Sequence, residues 1–179
     1  MTLETERLLL RPWEEGDAEA LYKYAKDPLV GPAAGWPPHK SVEDSRNIIR
    51  TVLSEPETYA VILKETGEPV GSSGIMPPRS DHPDAAPEDR EIGYWIGVPY
   101  WGRGLIPEAA EELLRRCFED LGCPAVWCAC NVGNDKSRRV MEKCGFATHH
   151  VECGRTDLLG EVHDEEFTRI TKEVWLARH

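Results

Sequence analysis

The chain has 179 residues, and its 21 lysines and arginines against 32 aspartates and glutamates give a formal charge of −11. This length is enough for one globular domain with a sizeable core and too short for two. An acidic surface repels nucleic-acid phosphates and anionic lipid headgroups, so neither is expected as a partner. The same charge favours a cationic substrate such as an amine.

Neither membrane nor secretory segments are apparent in the sequence. No apolar run approaches the ~18–20 residues that a membrane-spanning helix requires. The first residues, Met-Thr-Leu-Glu-Thr-Glu-Arg, lack the basic region followed by an apolar stretch that marks a secretory signal. We therefore expect a cytoplasmic protein.

The predicted elements of the first half are an opening strand, two helices and a hairpin. Apolar residues recur at helical spacing after the opening strand, and Ser41 is placed to cap the second helix. The hairpin has a glycine-containing turn. The predicted bounds are 5–12 for the strand, 17–25 and 41–55 for the helices, and 59–64 and 70–76 for the hairpin.

The second half begins with a proline-rich and charged segment, 77–90, which we interpret as a flexible excursion within one domain. A strongly amphipathic helix is then predicted, with apolar residues on one face from Ile106 to Leu121. The remaining predicted strands are 91–98, 125–131, 146–152 and 167–176, with a short helix over 134–144. This order predicts an α/β fold with a mainly antiparallel front and a β-α-β unit behind it.

All six cysteines lie in this second half, and one interpretation of them is a zinc site. It would have to combine side chains that are scattered along the chain: Cys128, Cys130, His149, His150 and Cys153. The run 125–130 is typical of a buried strand, in which cysteine packs as a small hydrophobic residue. We therefore predict no metal.

The most informative motif is the glycine loop 97–104, which joins a strand directly to the amphipathic helix. Such a turn presents backbone amides at the positive end of a helix dipole, which suits a phosphate or pyrophosphate. The loop departs from a P-loop, because arginine and glycine replace the lysine and the hydroxyl residue. It also departs from the dinucleotide fingerprint at Pro107. A tight turn without a ligand remains an alternative from the loop alone.

A second motif, Asn131 to Phe146, ends a capped helix in Lys-x-Gly-Phe. Together with the loop it resembles the GNAT superfamily of acyl-CoA-dependent N-acyltransferases. The opening Thr5-x-Arg7-Leu8-x-Leu10-Arg11 and the segment Gly93-Tyr94-Trp95…Pro99-x-Trp101-Gly102-x-Gly104 resemble its ribosomal-protein N-terminal acetyltransferase branch, the RimJ/RimL type. The resemblance covers residues 3–176.

This resemblance implies the GNAT fold as a single N-acetyltransferase domain over 1–179. Its central mixed, mainly antiparallel sheet would have about six to seven strands, splayed between the fourth and fifth, which are 91–98 and 125–131 here. About four helices would flank the sheet.

The resemblance also implies acetyl-CoA as co-substrate. The pyrophosphate would bind backbone amides of the loop, at Arg103, Gly104 and Leu105, and less securely at Ile106. The pantetheine arm would pair with the backbone near Ile96 and Val98, where the family carries a bulge. Asn134 matches the asparagine that contacts the arm, although the same side chain also suits a helix cap.

Two catalytic residues follow from the resemblance. Glu91 matches the glutamate that accepts the amine's proton in many members, directly or through water. Met141 stands where many members have a tyrosine that protonates the departing thiolate. Ser137, one turn earlier, is the nearest hydroxyl and is expected to take that role in part.

The implied function is transfer of an acetyl group by direct attack of a primary amine, either a protein N-terminal α-amino group or a small amine. The alternative is a catalytically weak acyl-CoA-binding or sensor module. The sequence leaves open which amine is modified and whether the chain forms a homodimer.

Overall fold

An eight-stranded mixed sheet runs through the molecule in the order β1-β2-β3-β4-β5-β6-β8-β7. The computed structural model describes residues 1–79, 81–82 and 84–179. The strands are β1 Leu3–Glu4, β2 Leu8–Arg11, β3 Thr58–Leu63, β4 Glu68–Met76, β5 Arg90–Ile96, β6 Ala125–Asn131, β7 Ala147–Thr156 and β8 Val162–Thr171. The helices are α1 Ala18–Ala25, α2 Val42–Thr51, α3 Leu105–Arg115, α4 Asp135–Lys143 and α5 Lys172–Leu176.

The splay of the sheet lies between β5 and β6. All other neighbouring strands are antiparallel, whereas these two are parallel and pair only at Arg90 with Val126 and at Glu91 with Trp127. Beyond Glu91 the two strands separate. The backbone edge of β5 that faces β6 is therefore free to pair with another extended group.

Helices pack on both faces of the sheet, and the alternation along β3 shows how. Tyr59, Val61 and Leu63 belong to the larger core cluster with α3, while Ala60 and Ile62 belong to a second cluster with α1 and α2. Successive side chains of a strand point to opposite faces, so one strand serves both cores. The apolar face of α3 is fully covered.

The predicted mixed, mainly antiparallel sheet with its splay is confirmed, and the described residues form eight strands instead of about six to seven and five α-helices instead of about four. The predicted opening strand 5–12 is shortened to β2, and the short strand β1 precedes it. The predicted strand 167–176 is wrong at its end, where α5 replaces it. The Thr171 side chain accepts a hydrogen bond from the Val174 amide and caps this helix, and Trp175 packs 5.4 Å from Phe118 between ring centroids.

Three further boundaries differ from the predictions. The strand predicted over 91–98 ends at Ile96, and Val98–Tyr100 forms a short 3₁₀ turn in place of the expected bulge. The helical register of α3 loosens into a π-helical turn at Arg116–Asp120, which keeps the Phe118 ring buried. The second helix ends at Thr51.

The predicted excursion 77–90 includes Ser80 and Pro83, which lie outside the described residues. Across the described ranges, every helix is too short or too polar to cross a bilayer.

Candidate active site

A cavity of about 1340 Å³ occupies the gap between β5 and β6. The loop before α3 and the first turns of α4 line it on one side of the sheet. The loop after α1, the segment around Arg79 and the β7–β8 turn line it on the other side. The cavity therefore joins the two faces of the sheet through the splay.

Arg7, in the turn between β1 and β2, holds the glycine loop in place. Its guanidinium donates to the carbonyl oxygens of Arg103 at 2.9 Å and Gly104 at 3.2 Å, and pairs with Glu108 at 2.7 Å. Gly104 has a φ of +74°, a left-handed conformation that favours glycine, and it directly precedes α3. These contacts connect the opening motif Thr5-x-Arg7 to the loop.

The loop leaves its amides free. In a trans peptide the carbonyl and the following N–H point in opposite directions, so the amides of Gly104 and Leu105 point away from Arg7. Within the described residues, none of the amides from Gly102 to Ile106 donates a hydrogen bond to the protein. Unpaired amides at the start of an eleven-residue helix form a site for an anion.

Positive side chains of α4 face the same end of the cavity. Lys136, Arg139 and Lys143 line it, and the Lys136 Nζ lies 3.5 Å from the centre of the Trp101 ring, a cation–π contact. The Trp101 indole N–H donates to the carbonyl of Ile96 at 3.0 Å. This end of a strongly acidic protein is therefore locally basic.

Asn134 and Ser137 lie at the start of α4. The Asn134 side chain accepts from the Ser137 amide at 3.2 Å, so it caps the helix as well as lining the cavity. The Ser137 hydroxyl lies 3.0 Å from the hydroxyl of Tyr94, which crosses the gap from β5. The Tyr94 hydroxyl also donates to the Ser137 carbonyl at 3.2 Å.

Sequence reasoning missed Tyr94, because its partner lies 43 positions away. Burial raises the pKa of Tyr94 well above its usual range, so its hydroxyl stays protonated at physiological pH. Met141, by contrast, is buried, and its Sδ accepts from the Thr168 hydroxyl at 3.1 Å. The position at which the family resemblance implies a tyrosine is therefore a core position here.

Glu91 lies on the opposite side of the gap from Tyr94, since alternate residues of β5 point to opposite faces. Its carboxylate is 3.2 Å from Arg79, which also donates to Glu165 at 3.1 Å. Glu91 is only 7% exposed, and burial raises its pKa even though Arg79 opposes this shift. A buried carboxylate with a raised pKa is suited to accept a proton.

Aromatic and polar side chains surround this second end of the cavity. Trp95 from β5 and Trp36 from the loop after α1 make an edge contact at 5.7 Å between ring centroids. Asp157 and His163 line the cavity at the β7–β8 turn and pair at 3.1 Å. These side chains come from three separate parts of the chain.

The cysteines at the gap are buried thiols. Cys128 and Cys130 line the cavity from β6, and burial raises the pKa of Cys130 to about 11. Burial likewise raises the pKa of Cys144 to about 12. Thiols with raised pKa values are poor nucleophiles, which agrees with a reaction that needs no covalent enzyme intermediate.

The cavity brings together most of the predicted site residues. Those that line it are Ile96, Gly104, Leu105, Ile106, Asn134 and Ser137. Among the described residues, three predicted ones lie outside the lining. Glu91 reaches it through Arg79, Val98 lies in the 3₁₀ turn, and Arg103 contributes its backbone to the loop while its exposed side chain extends toward Tyr100.

Comparison with known proteins decides the family. The acetyltransferase (GNAT) domain family matches residues 7–147, well over half of the chain. The chain belongs to the GNAT acetyltransferase family. It is an acyltransferase, and GNAT acetyltransferases use acetyl-CoA as co-substrate.

Relatives of this GNAT acetyltransferase differ in what their names say they modify. It is 30% identical over 185 residues to the FsC-acetyl coenzyme A-N(2)-transacetylase of Aspergillus fumigatus, covering 98% of this chain and 78% of that protein. It is 35% identical over 85 residues to the putative ribosomal N-acetyltransferase YdaF of Bacillus subtilis, covering 48% of this chain and 46% of that protein.

The fold of the family agrees with this GNAT chain. A solved GNAT-family acetyltransferase from Bacillus anthracis superposes with a TM-score of 0.81 at 27% identity, covering 97% of this chain and 99% of that one. The relatives leave the RimJ/RimL branch unassigned.

Proposed function

We propose that the chain, as a single domain over residues 1–179, transfers the acetyl group of acetyl-CoA to a primary amine by direct attack. The observation that carries this proposal is the continuous cavity. Through a gap between two strands it connects free helix-terminal amides on one face of the sheet with Arg79 on the other, and Arg79 pairs with the buried carboxylate of Glu91.

The diphosphate of acetyl-CoA binds the loop amides of Arg103, Gly104, Leu105 and Ile106 in this proposal. Charge-assisted hydrogen bonds from backbone amides to phosphate contribute roughly 1.5–3 kcal/mol each. The basic side chains of α4 that line the same end, Lys136, Arg139 and Lys143, supply the opposite charge.

The pantetheine arm lies along the free edge of β5 and pairs with its backbone near Ile96, with Val98 at the entrance from the loop. The Asn134 side chain lies at the opposite wall. This arrangement brings the thioester into the gap, beside the Tyr94–Ser137 hydroxyl pair. No new secondary structure has to form, because the strand edge is already extended.

The thiolate departs toward α4. The Ser137 hydroxyl donates a hydrogen bond to the sulfur, and the hydroxyl of Tyr94, 3.0 Å away, orients it. A coenzyme A thiol has a pKa on the scale of free cysteine, near ~8.5, so hydrogen bonding stabilises the leaving group without full proton transfer. This pair replaces the tyrosine that is missing at Met141.

The amine arrives from the opposite face and loses its proton to Glu91, directly or through water. Arg79 is shared between Glu91 and Glu165, so its movement toward Glu165 frees Glu91 for the proton. Attack and departure then occur on opposite sides of the sheet, which matches the opposite positions of Glu91 and Tyr94 on β5.

The acceptor is a primary amine, and two sources fit it: a protein N-terminal α-amino group, as in the ribosomal-protein branch, and a small-molecule amine. The test is a thiol-release assay with acetyl-CoA and a panel of N-terminal peptides, amino acids and polyamines. We expect amine-dependent thiol release with acetylated product by mass spectrometry. Stabilisation of melting by acetyl-CoA without turnover on any amine would instead indicate a binding or sensor module.

A further inference from the structure

A second cluster of chemically versatile side chains lies outside the cavity, where β7 meets the segment after Arg79. A β-bulge interrupts the pairing of β7 with β8 between Thr148 and His150, so that His149 is the extra residue. Adjacent residues of a regular strand point to opposite faces, but a bulge re-aims one of them. The two imidazoles consequently meet on one side of the strand.

The donor atoms of this cluster are close enough to share one ion. The Nδ1 atoms of His149 and His150 lie 2.8 Å apart, and Asp84 Oδ2 lies 3.8 Å from His150 Nδ1. One donor atom from each residue fits within 4.8 Å of the other two. A tetrahedral ion with bonds of about 2.0–2.1 Å holds its ligands roughly 3.3 Å apart, and the two measured separations lie on either side of that value.

The ring of His150 is held with Nδ1 toward the cluster. Its Nδ1 faces His149 and Asp84, while Nε2 lies 3.4 Å from a Glu152 carboxylate oxygen without a hydrogen bond to it. Its ring stacks on Phe167 at 4.8 Å between centroids and 2° between planes, which holds the imidazole in one orientation.

The cluster is also accessible and has an additional nitrogen donor nearby. The side chain of His150 is 23% exposed and that of Asp84 is 50% exposed, so an ion can reach them from solvent. The ring of His82 lies 6.0 Å from that of His150, and its buried Nε2 makes no hydrogen bond with any described residue.

We propose that Asp84, His149 and His150 form a binding site for a divalent transition-metal ion, with zinc as the ion that this donor set suits. Two imidazole nitrogens and one carboxylate oxygen fill three positions, and water completes the coordination. This set of ligands differs from the scattered cysteines and histidines that the sequence alone suggests for a zinc site. It uses none of the cysteines, because Cys128 and Cys130 are buried in β6.

Such an ion would join β7 to the segment that carries Arg79. Asp84 lies five positions after Arg79, and Arg79 both lines the cavity and pairs with Glu91. Closing a loop with a metal removes freedom from that loop. The site would therefore hold the loop without taking part in acetyl transfer, and its occupancy can be tested independently of the proposed function.

The experiment is a titration of the tag-free, metal-stripped full chain with Co²⁺ and Zn²⁺. We expect one Co²⁺ per chain, with the visible absorption of nitrogen and oxygen ligands and displacement by Zn²⁺, and a higher melting temperature with Zn²⁺. His150→Ala and Asp84→Asn should each weaken Co²⁺ affinity by about 10-fold or more. Asp84→Asn keeps the size of an exposed side chain, so it separates loss of a ligand from loss of folding.

Two controls address other donors. His179→Ala removes an exposed histidine at the C-terminus, and Cys153→Ser removes the exposed thiol on β7. Both should bind Co²⁺ like the parent chain. The proposal is overturned by absence of binding at micromolar Co²⁺, by Co²⁺ affinity in His150→Ala and Asp84→Asn equal to that of the parent chain, or by loss of binding in Cys153→Ser.

Discussion

The two ends of the cavity are built in different ways. At the loop end, the groups available to a ligand are mostly backbone amides, fixed by glycines and by the start of α3. At the other end they are side chains from distant segments, since Arg79 pairs with Glu91, 12 positions later, and with Glu165, 86 positions later. A backbone site tolerates changes of side chain, whereas a side-chain site can be altered one residue at a time. In the proposed function, the loop end determines the affinity for acetyl-CoA, and the side-chain end determines which amine is acetylated.

The largest expected effect is at the side-chain end. Glu91→Gln should lower kcat/KM about 100-fold, the usual scale for loss of a general base, and leave acetyl-CoA affinity unchanged. Because burial raises the pKa of Glu91, activity of the parent should fall as the pH drops through a value above that of an ordinary glutamate. Steady-state rates measured across pH should show this fall at low pH, the acidic limb of the profile, in the parent and not in Glu91→Gln.

Glu165→Gln is the matched control for that change. The Glu165 charge adds to the rise in the pKa of Glu91, so its removal should move the acidic limb to lower pH with a smaller loss of activity. If Glu165→Gln abolished the limb and Glu91→Gln kept it, Glu165 would be the base.

The next largest effect is expected at the loop end of the cavity, where backbone amides are available. Gly104→Val should weaken acetyl-CoA binding roughly 10- to 100-fold by calorimetry, because a branched side chain is strained at φ +74° and its Cβ would lie 3.5 Å from the Arg7 guanidinium that holds the loop. Gly67→Val is the control: Gly67 has a φ of +69° with open space around a Cβ, but lies in the β3–β4 turn. A similar loss of affinity in both variants would mean that backbone strain alone explains the effect.

A smaller effect is expected where the two ends meet. Ser137→Ala should lower kcat about 10-fold, comparable to one lost hydrogen bond to a charged group. Tyr94→Phe should lower it less and add little to Ser137→Ala, since both changes remove one hydroxyl pair. Single-turnover rates with thioesters of different leaving-group pKa measure this. Additive losses in the double variant would show that the two hydroxyls act separately.

The smallest effect tests the basic face of α4. Lys136→Ala should weaken acetyl-CoA binding about 3- to 5-fold at low salt and less at high salt, as expected for an exposed charge. Arg138→Ala removes the same charge from the same helix outside the cavity lining, where the guanidinium pairs with Glu142 at 3.1 Å. Equal losses of acetyl-CoA affinity in both variants would indicate that the overall positive charge of α4, and not the position of Lys136, attracts the co-substrate.

These two kinds of construction also explain what the sequence could predict. The loop and α4 depend on glycines, a cap and a helix start within a few residues, so the local pattern predicts the glycine turn at Gly104 and the cap at Asn134, while the roles of Asn134 and Ser137 toward acetyl-CoA come from the family resemblance. Tyr94 was missed because its role depends on a contact across the splay. The pairing of Glu91 with Arg79 was missed because the excursion 77–90 has no regular pattern to place it.

The same limit applies to the fold. The amphipathic face of α3 and the glycine-containing turn between β3 and β4 predicted their elements, while α5 was predicted as part of a strand. Its residues Val174 and Trp175 have strand propensity, and the packing of Trp175 on Phe118 decides the outcome. In short segments at the end of a chain, tertiary packing determines the secondary structure more than local propensity does.

Arg7 has a consequence for how the protein is made. Its guanidinium binds residues that lie 96 to 101 positions later, so the ribosome releases Arg7 long before its partners exist. During synthesis the glycine loop 97–104 cannot take its final form until Glu108 has emerged. The nascent chain is therefore expected to become competent for its co-substrate late, and removal of its first few residues should uncouple that turn from the sheet.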